Sequence, residues 1–312
     1  MSSPADLARS ALAEHLARRR GEWAFGEVVL AGEGLECFVF RGTSPRLGDV
    51  AIKVPRCAVF ENDNDLSVPA GALLRQEAEY AQHLREHGLA APEVLALEVG
   101  DAAPAYLIQR YIEHDGGEPD PGELGRLIAA IHRLPLPPGR PVAQGAGAVE
   151  GVIAERLARR ARVVERIAGV AVPLPDRRAL EAALALAGRP HRLLHMDARA
   201  ANVLTEGGTI RAIIDWSNAL IGDPYLELAR IAEYGLAGAA FRAAYDAPVA
   251  PPAPVLDCIY HLDVAVMLAV VFLSELPDPV RGPRQIERVL TLSRELERLW
   301  PGAPAAVRSE RR

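Results

Sequence analysis

Between residues 24 and 55 apolar and polar side chains alternate with a period of two, in AFGEVVLAG, ECFVFRG and DVAIKVP. Glycine-rich breaks separate these runs, so the stretch predicts three strands. Residues 58–69 read as a polar loop closing at Pro69. The next segment, ALLRQEAEYAQHLREHG, has helical spacing and stops at Gly88, the usual residue just past a helix end. PEVLALEVG and PAYLIQRYI are again strand-like. EHDGGEPDPG (113–122) is dense in turn formers and nearly free of apolar residues, which predicts a linker. Beyond it the pattern turns helical, in ELGRLIAAIHRL, VIAERLARRARVVERIA and DRRALEAALALAG, then near 224–246, 254–276 and 284–299, before a frayed tail. One strand-rich island, 193–216, interrupts the helices. The first twenty residues predict an amphipathic helix with Leu7, Leu12 and Leu16 on one side. The division is α+β: a strand-rich lobe over 1–114 and a mainly helical lobe over 115–312.

Composition narrows the function classes. A chain of 312 residues can form two domains or one large two-lobed unit, and buries enough surface to need no disulfide scaffold. Its three cysteines, Cys37, Cys57 and Cys258, form no CxxC pair. A net charge of −6 argues against a nucleic-acid partner. The longest uncharged apolar run, Val264 to Leu273, is well short of the ~20 residues of a spanning helix, so no membrane partner is expected. The N-terminus lacks the apolar block of a signal peptide, which makes cytoplasmic the expected location. One bias changes the picture. Of the 35 basic Lys and Arg residues 34 are arginine, leaving Lys53 as the single lysine. Asparagine is confined to positions 62, 64, 202 and 218. A residue type kept against such a bias marks a position where the usual substitute does different chemistry.

The densest chemistry lies in LLHMDARAANVLTEGGTIRAIIDW (193–216). NVLT and TIRAIID flank the turn EGG, which predicts a hairpin that returns Asp215 to the neighbourhood of Asn202. Asp197 precedes Asn202 by five residues on the loop entering the hairpin. Two carboxylates and a carboxamide then converge, and hard oxygen donors of this kind suit Mg²⁺. A competing pattern in the same stretch, His191–His195–Asp197, has zinc-ligand residue types, but His spaced by four share a face only on a helix, and Gly188 and Pro190 argue against one.

The pattern His195-Met196-Asp197, then Asn202, then Ile213-Ile214-Asp215 resembles the catalytic loop and metal-binding aspartate of the aminoglycoside phosphotransferase family, relatives of the protein kinases. The family usually has Gly where this chain has Met196. The resemblance implies a two-lobed protein-kinase-like fold, with Asp197 as catalytic base, Asn202 and Asp215 on the metal, and His195 structural. Arg199 stands where protein kinases often carry a lysine that meets the transferred phosphate. DVAIKVP matches the V-A-I-K strand of kinases, and the match implies that Lys53 is a phosphate anchor rather than an ordinary strand-end lysine. Of its two candidate partners, Glu77 shares the apolar helix face of Leu73, Tyr80 and Leu84, while Glu79 falls on the solvated face. Gly32 and Gly34 match the first two glycines of a phosphate loop, though a hairpin turn accounts for them equally well. The resemblance puts the hinge after YLIQRYI, with backbone groups of Arg110 and Ile112 on the nucleobase and Gln109 at the inner position. Asp223 before Pro224 reads as a helix cap.

The implied activity is Mg²⁺-dependent transfer of the ATP γ-phosphoryl group, GTP not being excluded, to a hydroxyl of a small molecule. An aminoglycoside-like or other antibiotic is the expected acceptor. A choline, sugar or fructosamine kinase would share every motif, and a non-catalytic nucleotide-binding relative would be expected to have lost Lys53, Asp197 or Asp215. A cationic acceptor is suggested by Asp263, which stands on the otherwise apolar stripe Leu256–Ile259–Asp263–Val266–Val270 and must line a cleft or find an arginine such as Arg230.

Overall fold

The computed structural model describes residues 3–18, 23–65, 67–100 and 104–300. The alternating N-terminal runs become β1 (Val28–Glu33), β2 (Cys37–Ser44) and β3 (Gly48–Pro55). Two short strands come next, β4 (Val59–Phe60) and β5 (Val68–Pro69), inside the segment predicted as loop. With β6 (Val94–Glu98) and β7 (Tyr106–Arg110), the first three build an antiparallel sheet in the order β1-β2-β3-β7-β6. The period of two sorts its faces. Phe38, Phe40, Val50, Ile52, Val54, Tyr106 and Ile108 turn one way, onto α1 (Pro4–Arg18). Ala51 and Lys53, with Gln109 and Leu107 opposite them in register, turn the other way. In α1 the buried residues are Ala5, Leu12 and Leu16, while Leu7 is exposed, so Ala5 takes the place expected for Leu7. Helix α2 (Ala70–Glu86) packs across the second sheet face and ends as predicted, with Gly88 at φ +75°.

Residues 111–120 have no regular structure and are fastened to residues 205–207 by Asp115. Its carboxylate accepts from the Gly117 and Gly207 N–H groups at 2.9 and 2.7 Å and from the Thr205 hydroxyl at 3.2 Å. The helical region contains α3 (Pro121–Ile131), α4 (Val149–Ala168), α5 (Arg177–Leu186), α6 (Pro224–Glu233), α7 (Ala239–Ala244), α8 (Pro254–Val270) and α9 (Arg281–Leu299). The single helix predicted over 224–246 is two, because the chain turns at Gly235, φ +79°. Helix α8 runs on into a π-helical turn, Val271–Glu275. Contrary to the sequence expectation, Pro254–Glu275 is long and apolar enough by composition to cross a membrane, with mean hydropathy 2.0. Two thirds of that window is buried in the fold, where Ile259, Leu262 and Val266 join the core of α4, α6 and α9, so its apolarity is spent on packing.

Two small antiparallel pairs sit among the helices. β8 (Arg192–Leu194) pairs with β11 (Leu220–Gly222), and β9 (Val203–Glu206) with β10 (Thr209–Ile213) across Gly207 and Gly208. The loop between β4 and β5 is strapped to the helices. Arg159 and Arg160 donate to its carbonyls, Arg166 pairs with Asp63 at 3.0 Å, and Asn64 N–H donates to Glu275 at 3.1 Å. The expected frayed tail after Trp300 lies outside the described residues.

Candidate active site

The strand β8 leads directly into His195, Met196 and Asp197, all three buried. His195 is fully buried and spends both ring nitrogens locally: Nδ1 accepts from the Asp197 N–H at 3.1 Å, which leaves Nε2 to donate to the Ile214 carbonyl at 2.9 Å. That bond ties the loop to the strand end preceding Asp215, and leaves no nitrogen for a zinc ion. His191, the other residue of the competing pattern, is exposed and pairs with Glu150 at 3.1 Å. Met196 has φ +64°, a left-handed conformation suited to glycine, and Gly is the residue that the resembling family usually has there. Its side chain is buried in the helical core, which offsets the backbone cost. The loop is held from below by Glu227 of α6, whose carboxylate accepts from the N–H groups of His195 (3.2 Å) and Met196 (2.8 Å) and from His132 Nε2 (2.8 Å). Burial pushes the Glu227 carboxyl up, but His132 and these backbone donors outweigh it and hold it below the usual range.

Asp197 is buried and every lone pair in reach is engaged. Oδ1 accepts from the Tyr234 hydroxyl at 2.6 Å and Arg230 Nη2 at 3.2 Å; Oδ2 accepts from Asn202 Nδ2 at 2.6 Å and Arg199 Nε at 3.1 Å. Burial raises its pKa, and Arg230, Arg199 and Tyr234 together more than reverse this, so the carboxyl titrates below its ordinary value. Asn202 Nδ2 also reaches the Asp197 carbonyl at 2.9 Å, so the amide commits its nitrogen and keeps Oδ1 available. The Ile214 N–H donates to the Asn202 carbonyl at 2.9 Å, so the hairpin returns Asp215 beside Asn202 as its sequence predicts.

From the sheet side, Lys53 Nζ lies 2.5 Å from Glu77 Oε2 and 3.3 Å from Asp215 Oδ1. Burial would depress the ammonium, but Asp215 and Glu77 outweigh it and hold the pKa well above that of a free lysine. Asp215, like Met196, has φ +64°. Its Oδ1 is buried and, the ion pair aside, accepts no hydrogen bond. Helix α2 is locked to this point by Gln76, whose amide nitrogen donates to the Trp216 carbonyl and whose oxygen accepts from the Val142 N–H at 2.6 Å. Glu77, not the exposed Glu79, is therefore the lysine's partner.

Gly32 and Gly34 sit at the tip of the β1–β2 hairpin, where Gly34 N–H closes the turn on the Cys37 carbonyl at 2.8 Å. A Cβ at Gly32 would meet nothing within 4 Å, so the fold leaves room there. The same tip carries Glu36, which sequence reasoning missed. Burial first, then the Asp215 charge, push its carboxyl up to about 7. Nothing in a loop sequence separates such a glutamate from a solvated one. At the end of β7, Gln109 is buried on the Lys53 face with Nε2 unpartnered among the described residues. Arg110 N–H donates to the Glu93 carbonyl at 2.8 Å and Tyr111 N–H to the Asp49 carbonyl at 3.1 Å, while the Ile112 N–H makes no such bond among the described residues.

Asp263 does not join this constellation. It is buried with both oxygens engaged by Arg156, through Nε at 2.8 Å and a second bond from Nη2, and Arg160 stands 3.7 Å away. The expected acceptor-facing carboxylate is thus an internal ion-pair member, and its partner is Arg156 rather than Arg230, which serves Asp197 instead. Asp223 is the helix cap expected, accepting from the Tyr225 N–H at 3.1 Å, from Arg189 at 2.6 Å and from the Tyr260 hydroxyl at 2.9 Å. Glu227, Arg230 and Tyr234 were legible only as one face of α6, a spacing that any amphipathic helix shows.

The phosphotransferase enzyme family, APH, matches over residues 63–251. Among solved structures, the aminoglycoside phosphotransferase APH(4)-Ia is similar at 18% identity over 91% of this chain and 98% of its own, with a TM-score of 0.61. A thermostable mutant of that protein, solved as a ternary complex with AMP-PNP and hygromycin B, gives 17%, 91%, 98% and 0.59. A choline/ethanolamine kinase family protein from Mesorhizobium loti gives 21%, 93%, 95% and 0.58, and a macrolide 2'-phosphotransferase type I gives 16%, 92%, 98% and 0.55. At these identities the likeness is one of fold. No curated protein matches the chain.

Proposed function

The chain belongs to the APH phosphotransferase enzyme family and is a small-molecule phosphotransferase, and from that premise we propose that it moves the γ-phosphoryl group of ATP to a hydroxyl of an antibiotic, aminoglycoside-like or other. The observation that carries this reading is the meeting of three separate segments. Lys53 of β3, Glu77 of α2 and Asp215 after β10 form one ion group, and Asp197 and Asn202 share a 2.6 Å bond on the adjoining loop. Phosphoryl transfer needs positioning and charge neutralisation more than covalent help, and these are the groups that supply both.

In this reading Lys53 holds the nucleotide phosphates and Glu77 aims it. Gly32 leaves space for the phosphates at the hairpin tip, while Gly34 closes the turn against the Cys37 carbonyl. Ile112 offers a backbone N–H to the nucleobase, whereas the Arg110 N–H is taken by the Glu93 carbonyl, and the buried unpartnered amide of Gln109 stands at the inner position. GTP in place of ATP is compatible with those groups. The donor set fits Mg²⁺: Asn202 keeps its oxygen free, and Asp215 has a buried oxygen without a hydrogen bond. Bound by Asn202 and Asp215, the ion would neutralise charge on the phosphate oxygens. Asp197, kept ionised by Arg230 and Arg199, orients the acceptor hydroxyl and accepts its proton. Arg199, half exposed and paired with Asp197 on the same loop, is the cation that would meet the transferred phosphate.

A second reading, a kinase for a metabolite of the choline, sugar or fructosamine kind, draws support from the similarity to the choline/ethanolamine kinase family protein. Consumption of the γ-phosphate, measured with Mg–ATP against a panel of aminoglycosides, macrolides, choline and sugars, separates the two. Phosphate transfer to an antibiotic supports the first; transfer confined to a metabolite supports the second. Failure to bind Mg–ATP at all overturns both.

A further inference from the structure

We propose that Arg230 and Tyr234 are positioning residues that lock one oxygen of Asp197, Oδ1, so that the other, Oδ2, is the oxygen that meets the acceptor hydroxyl. This rests on Asp197 being the base. The four donors around the carboxylate differ in kind. Those on Oδ1 come from one helix, a single turn apart: the Tyr234 hydroxyl at 2.6 Å and Arg230 Nη2 at 3.2 Å. Arg230 Nε donates to the Tyr234 oxygen at 2.8 Å, so the phenol accepts from the arginine and passes its own proton toward Asp197. Burial, more than the opposing charge of Arg230, pushes the phenol up to about 12, which keeps it a donor at neutral pH.

Neither group is free to leave. Arg230 is buried, and releasing Asp197 would strand its charge away from water. Tyr234 packs against the buried cluster of Val264, Met267 and Leu268. The start of α6 is fixed by the Asp223 cap, and its middle is fixed to the loop by Glu227.

The donors on Oδ2 are exchangeable. Arg199 is half exposed on a loop, where an ion pair contributes little and is readily given up to water or phosphate. Asn202 Nδ2 has a second acceptor in the Asp197 carbonyl, so it stays satisfied when Oδ2 turns to a hydroxyl. One oxygen is therefore a fixed pivot and the other a replaceable contact. Such an arrangement removes the rotational freedom that otherwise misplaces a base.

The test uses the full chain, with Mg–ATP and water as the acceptor, reading inorganic phosphate. Tyr234→Phe keeps the packed ring and is expected to lower kcat about 10-fold with KM for Mg–ATP within about twofold. Arg230→Ala is expected to lower kcat about 10²-fold, and millimolar guanidinium chloride, but not sodium chloride at equal ionic strength, should restore much of it. Because both act through Asp197, adding either change to Asp197→Asn should cost nothing further. Should Arg230→Ala fail to fold, Tyr234→Phe carries the same comparison. Losses that add to that of Asp197→Asn in an active enzyme overturn the inference alone. A wild-type chain that binds Mg–ATP yet releases phosphate to water no faster than Asp197→Asn overturns Asp197 as base, and the inference with it.

Discussion

Lys53, Glu77 and Asp215 form one ion group, half-buried at Asp215, and Arg156, Arg160 and Asp263 form another, more deeply enclosed. Both contain an aspartate on an apolar background, and both look like chemistry in the sequence. In the second group Asp263 is gripped at both oxygens by one arginine, and a further arginine stands behind it. Burial and the neighbouring Arg156 pull Arg160 down to about 10, more than Asp263 and Asp65 offset, so arginines outnumber the acids here and Asp263 keeps no oxygen to spare. In the first group the two carboxylates share a single lysine, and Asp215 Oδ1 is left without a hydrogen bond. An acid points to function when its donors are too few, as at Asp215, or exchangeable, as the half-exposed Arg199 is on one oxygen of Asp197; Asp263, gripped at both oxygens by Arg156, points to packing.

The largest effect should come from the acids beside the incomplete group. Asp197→Asn is expected to cut turnover by about 10²-fold or more while Mg–ATP binding stays near that of the wild type. Asp215→Asn should instead weaken Mg–ATP binding itself. Titrations in which the two variants behave alike would erase the division of roles. Next, Asp263→Ala strands Arg156 and should cost about 3–5 kcal/mol, or a fall in Tm of roughly 10 °C, with KM for acceptor and ATP unchanged. A raised acceptor KM at unaltered Tm would return Asp263 to the binding site.

Smaller effects test the support of the loop. Glu227 has a depressed pKa when folded, so its contribution to stability is complete above about pH 4.5, the unfolded value, and is lost as the pH falls through the folded one. Thermal melts of Glu227→Gln should be lower than wild type at pH 7 and flatter below pH 4.5; parallel curves would show that this carboxylate does not hold the loop. Smallest of all, Met196→Gly relieves about 1 kcal/mol of left-handed strain but loses roughly 2 kcal/mol of burial. A net loss near 1 kcal/mol in denaturant midpoints is expected, and a gain in stability would mean that the strain outweighs the packing.

The first group was legible in the sequence because each member sits in a local pattern: Lys53 at a strand end, Glu77 on the inner face of one helix, Asp215 returning along one hairpin. Helix face alone decided correctly between Glu77 and Glu79. The partner of Asp263 was not legible, because Arg156 lies 107 residues away on another helix and any of 34 arginines would have served. Glu227 and Gln76 escaped for a related reason. Gln76 bonds only to backbone atoms of distant loops and Glu227 mainly so, its one side-chain partner being His132 95 residues away, and backbone contacts carry no residue-type signature. The sequence shows residues 58–69 only as a polar loop, and the strap from Asp63 and Asn64 to the helices is not legible in it, since polar composition is the same whether it bonds to water or to arginines.

Whether Lys53 holds the nucleotide phosphates tests the phosphotransfer common to both readings, whatever the acceptor, and the single lysine makes it directly measurable. A water-soluble amine-acylating reagent can modify only the N-terminus and Lys53, and peptide mass spectrometry counts the two separately. Asp215 and Glu77 keep the Lys53 amine protonated, so labelling should be slow and should accelerate at alkaline pH. Loss of activity should track modification of Lys53 in proportion, and Mg–ATP should protect Lys53 while leaving the N-terminus reactive. Labelling of Lys53 that Mg–ATP does not slow, with activity intact after modification, would contradict a phosphate-holding role.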